Sequence, residues 1–100
     1  MKIVWTSKAK SQIRDIFDFY SKKVSIKLAN RIVSEITQKP SVLLKYPSLG
    51  QRESLLEEVD PRIRYLIQGN YKLIYLPTEN EIVIISVFDT RQNPSKIKDI

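Results

Sequence analysis

Arg64-Tyr65-Leu66-Ile67-Gln68-Gly69-Asn70-Tyr71-Lys72-Leu73-Ile74-Tyr75-Leu76 reads as two extended segments joined by a tight turn. Ile63, Tyr65 and Ile67 alternate with Arg62, Arg64, Leu66 and Gln68, the period of two that a strand requires. Gly69-Asn70 supplies residues favoured in a short hairpin turn. Downstream, past Pro77-Thr78-Glu79-Asn80, the run Ile82-Val83-Ile84-Ile85-Ser86-Val87-Phe88 is apolar at nearly every position, which suits a central strand covered on both faces. Upstream, Glu53 to Val59 is a weaker strand candidate that ends in the turn Asp60-Pro61.

The first half follows a different period. Lys2 to Trp5 is a short strand, and Thr6-Ser7 offers hydroxyls to cap a helix beginning near Lys8. Ala9, Ile13, Ile16, Phe17, Tyr20 and Val24 recur at helical spacing, while Arg14, Asp15, Asp18 and Lys22 take the opposite, wet side. Ser25 caps a second helix whose apolar side carries Ala29, Ile32, Val33 and Ile36, with Ile26 at its edge. Pro40 has no N–H to donate and ends that helix, after which Ser41 to Lys45 adds a turn with Val42, Leu43 and Leu44. Tyr46 to Gly50 is a loop, and Asn93 to Ile100 is expected to trail off as a tail. The expected fold is therefore α+β, in the order β-α-α-β-β-β-β. An N-terminal strand and an antiparallel helical hairpin pack on a twisted, mostly antiparallel sheet, the hairpin covering its apolar face.

The chain has 100 residues, of which 42% are hydrophobic and 28% charged, enough for one modest core. A single domain over residues 1–100 is the expectation. Without cysteine or histidine, disulfides, thiolate metal sites and the usual neutral-pH proton shuttle are all excluded. No cofactor is expected. The first residues form no signal-peptide core, and no apolar run approaches membrane-spanning length, so a cytoplasmic location without membrane contact is expected. Net charge is +6, but it is uneven. Residues 1–50 carry ten Lys or Arg against three acids, whereas residues 51–100 carry seven against eight. A nearly neutral sheet half argues against a protein that wraps nucleic acid on all sides.

Arg62 and Arg64 lie on one side of a strand, about 7 Å apart by strand geometry. Lys72 comes from the next strand, and Arg91 follows the last one, two positions after Asp89. If these strands are neighbours, the four cations form one positive site for a phosphate or carboxylate, because guanidinium presents a planar fork of donors. The competing reading is internal pairing, of Arg64 with Glu57 or Glu58 and of Arg91 with Asp89, and Lys72 alone reads as a solvated charge. Tyr65, Tyr71 and Tyr75 read as core aromatics with outward hydroxyls, and Trp5 and Phe17 as core anchors. Phe19 and Leu28 fall outside the main helical stripes.

Over nearly its whole length the chain resembles the RelE/ParE superfamily of bacterial type II toxins. The resemblance is carried by Trp5 and Ala9, then Ala29 and Ile36, then Leu43, Pro47 and Gly50. It continues through Arg64-Tyr65-Leu66 and Gly69 to Tyr75, and ends on Val87-Phe88-Asp89-Thr90-Arg91-Gln92-Asn93-Pro94. It implies a growth-inhibiting toxin in a heteromeric complex with a cognate antitoxin, whose extended or helical segment covers the toxin. The RelE branch implies a metal-independent mRNA endoribonuclease acting on the ribosome, and the ParE branch implies poisoning of DNA gyrase. A third possibility is an antitoxin-binding interaction protein with no toxicity. Family positions carry over onto Arg64 and Lys72. Near the last strand, where nuclease relatives often place His, Tyr or another basic group, this chain has Asp89, Thr90, Arg91 and Gln92.

Arg and free Lys stay protonated at neutral pH, so a base would have to be a carboxylate such as Glu53, Glu57, Glu58 or Asp89, and no spacing selects one. Arg64, Lys72 and Arg91 are the catalytic candidates if the chain is an enzyme, and these three with Arg62 are the candidates for target binding. The ParE branch is the preferred expectation.

Overall fold

The computed structural model describes residues 1–99. Strand β1 (Lys2–Trp5) leads into α1 (Ser7–Lys23), α2 (Ile26–Gln38) and a 3₁₀ helix over Lys39–Leu44. Strands β2 (Gln51–Arg52), β3 (Arg64–Gln68), β4 (Tyr71–Pro77) and β5 (Glu81–Asp89) follow, with short 3₁₀ helices over Ser54–Leu56 and Pro94–Lys98. The expected α+β class and element order hold. Thr6 caps α1 by accepting from the Ala9 N–H at 3.1 Å, and Ser25 caps α2 through the Leu28 N–H at 3.1 Å.

The sheet has five strands in the order β1-β5-β4-β3-β2. Its pairings are antiparallel except that β1 runs parallel to β5, so the first strand is an edge of the sheet rather than a layer against it. Gly69 takes φ +59 at the first turn position and lets Gln68 face Tyr71 across the hairpin. A bulge between Ile74 and Tyr75 shifts the β4–β5 register.

Both faces of the sheet are covered. On the helical side Ala9, Ile36 and Leu43 pack with Leu66, Leu73, Tyr75, Ile82 and Ile84, and Trp5, Ile13 and Ile16 close the edges. On the far side Leu56, Ile63, Ile74, Phe88 and Ile97 form a second cluster. The two short 3₁₀ helices supply its cover, and this is why β5 is apolar on both sides.

Four expectations are corrected. The β2 strand has two residues, and Glu53 to Val59 is not a strand. The Glu53 carboxylate accepts from the Leu55 N–H at 3.2 Å and turns the chain so that Leu56 is buried. The segment after Asn93 is not a loose tail, because Asn93 caps a 3₁₀ helix that buries Ile97, although Ile100 lies outside the described residues. Val24 leaves the α1 stripe. It is the C-cap, no longer helical in backbone angles, and is exposed. Of the three apolar residues after Pro40, only Leu43 is buried. Trp5 packs on the helix-side core as expected, whereas Phe17 is only half-buried and stays outside that cluster. Among the described residues no helix is long and apolar enough to cross a membrane.

Candidate functional site

Register decides where the four candidate cations go. Arg64 lies opposite Tyr75, while Ile67 lies opposite Lys72, so Arg64 and Lys72 project from opposite faces of the sheet. Asp89 lies opposite Tyr71, at the other end of β4 from Tyr75, so Arg91 emerges well away from Arg64. The expected single basic site is not formed.

Each cation instead has its own partner. Arg62 clamps Asp60 with Nε–Oδ1 3.1 Å and Nη2–Oδ2 2.8 Å. That hydrogen bonding holds the Asp60 carboxyl down at about 2 and raises the guanidinium in turn. Arg64 pairs with neither Glu57 nor Glu58, and its Nη1 donates to the Gly50 carbonyl at 2.6 Å. Lys72, read as a solvated charge, donates to the buried Glu53 at 3.0 Å and sits 4.1 Å from the Tyr65 ring centroid. Arg91 grips Asp89 with Nε–Oδ1 2.9 Å and Nη2–Oδ2 2.8 Å, the internal pair expected from their spacing. The Tyr75 hydroxyl points inward, against expectation. It accepts from the Gly50 N–H at 2.9 Å and donates to the Pro47 carbonyl at 2.8 Å.

Of the four, only Arg91 borders a sizeable cleft, about 520 Å³ in volume. One wall is α1, whose helical spacing lines up Lys8, Gln12, Asp15, Ile16 and Phe19. The floor is Tyr71 with Ser86 to Asp89, and the C-terminal segment adds Arg91, Gln92, Lys96 and Asp99. Lys8 Nζ donates to the Asp99 carbonyl at 2.6 Å and ties that segment to the helix. Gln12 is a site residue that sequence reasoning missed. Its Oε1 accepts from the Val87 N–H at 2.7 Å and its Nε2 donates to the Ser86 hydroxyl at 3.2 Å, joining α1 to β5 beside the bulge. The available sign was an amide placed between Ala9 and Ile16, within an otherwise apolar stripe. Phe19, outside the main stripe, is exposed at the rim of the cleft.

Electrostatics favour binding over proton transfer here. The hydrogen bond from Arg91 holds Asp89 below the usual carboxylate range, and Asp89 followed by Tyr20 raises Arg91. Burial, then the Tyr20 hydroxyl, pushes the Tyr71 phenol up. Asp89 therefore stays ionised with both oxygens occupied, while the N–H groups of Arg91 not used by Asp89 can meet an anion. The Asp89 pKa is lower folded than unfolded, so its contribution to stability is present above about pH 4 and is lost as pH falls through the folded value. Asp89→Asn should flatten the acid limb of a melting-temperature profile below about pH 4 by a small amount, since the Arg91 side chain is exposed and solvent screens the pair. An unchanged limb would show that the clamp exists without contributing.

Comparison with family models matches residues 3–94 to the ParE toxin of the type II toxin–antitoxin system parDE. A solved structure described as the chromosomal ParDE toxin–antitoxin system from P. aeruginosa superposes with a TM-score of 0.74. The superposition covers 89% of this chain and 95% of that one at 21% identity, a likeness of fold. Comparison with curated proteins gives no match. With the family model spanning both helices, all five strands and the Arg91 turn, the chain belongs to the ParE toxin family of type II toxin–antitoxin systems.

Proposed function

We propose that the protein arrests growth by poisoning DNA gyrase, acting as one domain over residues 1–100 and contacting its target through the cleft that carries Arg91. As a ParE-family chain it is a toxin component whose partner is a cognate antitoxin. The reading is carried by the state of the Arg91–Asp89 pair. An mRNA endonuclease working without a metal needs a base that is free to take the 2′-hydroxyl proton. In this chain, which has no histidine, the carboxylate beside the cleft arginine is held ionised with its oxygens occupied. The Arg91 N–H groups that Asp89 leaves free can donate to an acidic group on a protein or to a phosphate. Arg64 and Lys72 are assigned to holding the fold together, on the strength of their partners elsewhere in the chain, and Arg62, clamped on the surface by Asp60, lies outside the cleft.

Expression without antitoxin should stop growth, and the purified protein should inhibit gyrase supercoiling while leaving ribosome-bound mRNA intact. Arg91→Ala should raise the half-inhibitory concentration by at least about tenfold. Its stability should stay within about 1 kcal/mol of wild type, because the Arg91 side chain is exposed and water can reach the half-buried Asp89 carboxylate. Ribosome-dependent cleavage without gyrase inhibition would replace this reading with the nuclease. Unimpaired growth would leave an antitoxin-binding protein with no target.

A further inference from the structure

Residues 1–50 hold ten Lys or Arg against three acids, yet of the ten only Lys8 borders the Arg91 cleft. Six of the others lie on α1 or α2. Helical spacing puts Lys8, Gln12 and Asp15 on the cleft flank of α1, and Lys10 and Arg14 on the opposite flank. No residue of α2 lines the cleft, so α2 packs along that second flank. On α2 itself Ala29 and Ile36 are buried, which turns Lys27 and Arg31 outward. Lys10, Arg14, Lys27 and Arg31 are all exposed.

The two pairs form one row. Only Val24 and Ser25 separate the helices, so helical rise places Lys27, Arg31, Arg14 and Lys10 at about 4, 10, 16 and 22 Å back from the turn. Lys22 and Lys23 add two cations at the turn itself. The row is set before any ligand arrives, since Ser25 caps α2 and the Val24 N–H closes α1 on the Tyr20 carbonyl. Among the described residues Lys10, Arg14 and Lys27 have no ion pair, and Arg31 reaches Glu35 only at 3.9 Å. With Asp15 turned to the cleft, Asp18 and Glu35 are the acids that oppose these six cations.

We infer that the outer face of the helical hairpin binds the phosphate backbone of duplex DNA, offering a cation about every 6 Å over about 18 Å, the length of about five base pairs. Ser11 and Asn30 are exposed among the cations, and such side chains accompany Lys and Arg at phosphates. A protein partner would need apolar anchors, and a single strand would need aromatic platforms for its bases. The large apolar side chains exposed on the hairpin are Phe19 at the cleft rim and Val24 and Ile26 at the turn, none of them along the row. Duplex RNA is held through 2′-hydroxyls over about 16 base pairs, far longer than this row. Phosphate contacts carry no sequence preference, and they leave the cleft flank of α1 free. Binding is read without gyrase, so the inference can fail while the gyrase reading stands, and can hold if that reading falls.

The test uses the full chain and three labelled probes. They are a duplex DNA of mixed sequence and about 16 base pairs, the RNA duplex of the same sequence, and one DNA strand alone. Affinity is read by anisotropy from about 50 to about 200 mM salt, and position by amide chemical shifts. Duplex DNA should bind most tightly, with log affinity falling against log salt at a slope of about −3.6 for four phosphate contacts. Lys27→Gln with Arg31→Gln should weaken binding at least about tenfold at the lowest salt and flatten the slope by about 1.8. Lys10→Gln with Arg14→Gln should do the same, and it serves alone if the first variant loses its cooperative melt. Asp18→Asn should tighten binding about twofold or more. Arg52→Gln with Lys98→Gln removes equal charge outside the hairpin and should change affinity less than about twofold. An equal loss in that control would mean diffuse attraction to the net charge and would overturn the inference. So would tighter binding of RNA or of the single strand, or shifts centred on the Arg91 cleft.

Discussion

Gly50→Ala is expected to destabilise the protein by about 3 kcal/mol or more, roughly 15 °C in melting temperature for a chain of this size. The reason is space. A Cβ on Gly50 would lie 2.6 Å from the Tyr65 carbonyl oxygen and 2.7 Å from both Cε1 and the hydroxyl of Tyr75. The Tyr65 carbonyl belongs to a backbone paired with β2, and the Tyr75 ring is fully buried, so neither can retreat cheaply. Overpacking of this kind costs about 1–3 kcal/mol, and any shift also stretches the hydroxyl bonds to Gly50 and Pro47, where an unmet buried donor costs about as much again.

Tyr75→Phe separates the two contributions. It keeps the ring and removes the hydroxyl, leaving the Gly50 N–H without its partner at an expected cost of about 2 kcal/mol. Adding Gly50→Ala to Tyr75→Phe should cost less than it does in the wild type, because one of the three contacts has gone. Urea titration of the four proteins gives the cycle. A Gly50→Ala melt within a few degrees of wild type would show that the loop yields and that the Tyr75 contacts add little.

How much of this was legible depends on what leaves a mark in the sequence. The two helices were, because Ala9, Ile13 and Ile16, and Ala29, Ile32 and Ile36, repeat at helical spacing behind hydroxyl caps. The hairpin was, because Gly69 supplies a positive φ between two alternating runs. The far-face cover was not. Ile97 is one apolar residue among polar neighbours, and Leu55-Leu56 sits in an acid-rich run, so neither shows a period.

The site divides in the same way. Arg91 with Asp89 was readable because both flank one turn, two residues apart. The partner of Arg64 was not readable because its acceptor is a backbone carbonyl, and a carbonyl has no residue type to recognise. Lys72 was misplaced because its face depends on a register that puts Ile67 opposite it, and its partner Glu53 is 19 positions away. Alternation shows that faces exist. It does not say what covers each of them.

Lys72→Met should cost about 3 kcal/mol, while Glu53→Gln should cost clearly less, about 1 kcal/mol. Glu53 is 4% exposed, and its two oxygens are satisfied by the Leu55 N–H and Lys72 Nζ. Removing the ammonium leaves a carboxylate charge under the far-face cluster with a single donor, and breaking a buried pair in this way costs about 3–5 kcal/mol. The lower end applies, because the Lys72 side chain is 22% exposed and water can enter where its head was. Removing the acid is gentler. Glutamine keeps an oxygen for the Leu55 N–H, and Lys72 can stay against the Tyr65 ring while reaching solvent. Joining the two changes should recover most of the loss, since a neutral pair no longer strands a charge. Equal costs for the two single variants would mean that the pair is hydrated and adds little. The same variants decide whether Lys72 acts on a target. If it is structural, the protein that remains folded at low temperature should inhibit as the wild type does, with total activity falling only in step with the folded fraction. A loss beyond that fraction would return Lys72 to the functional surface.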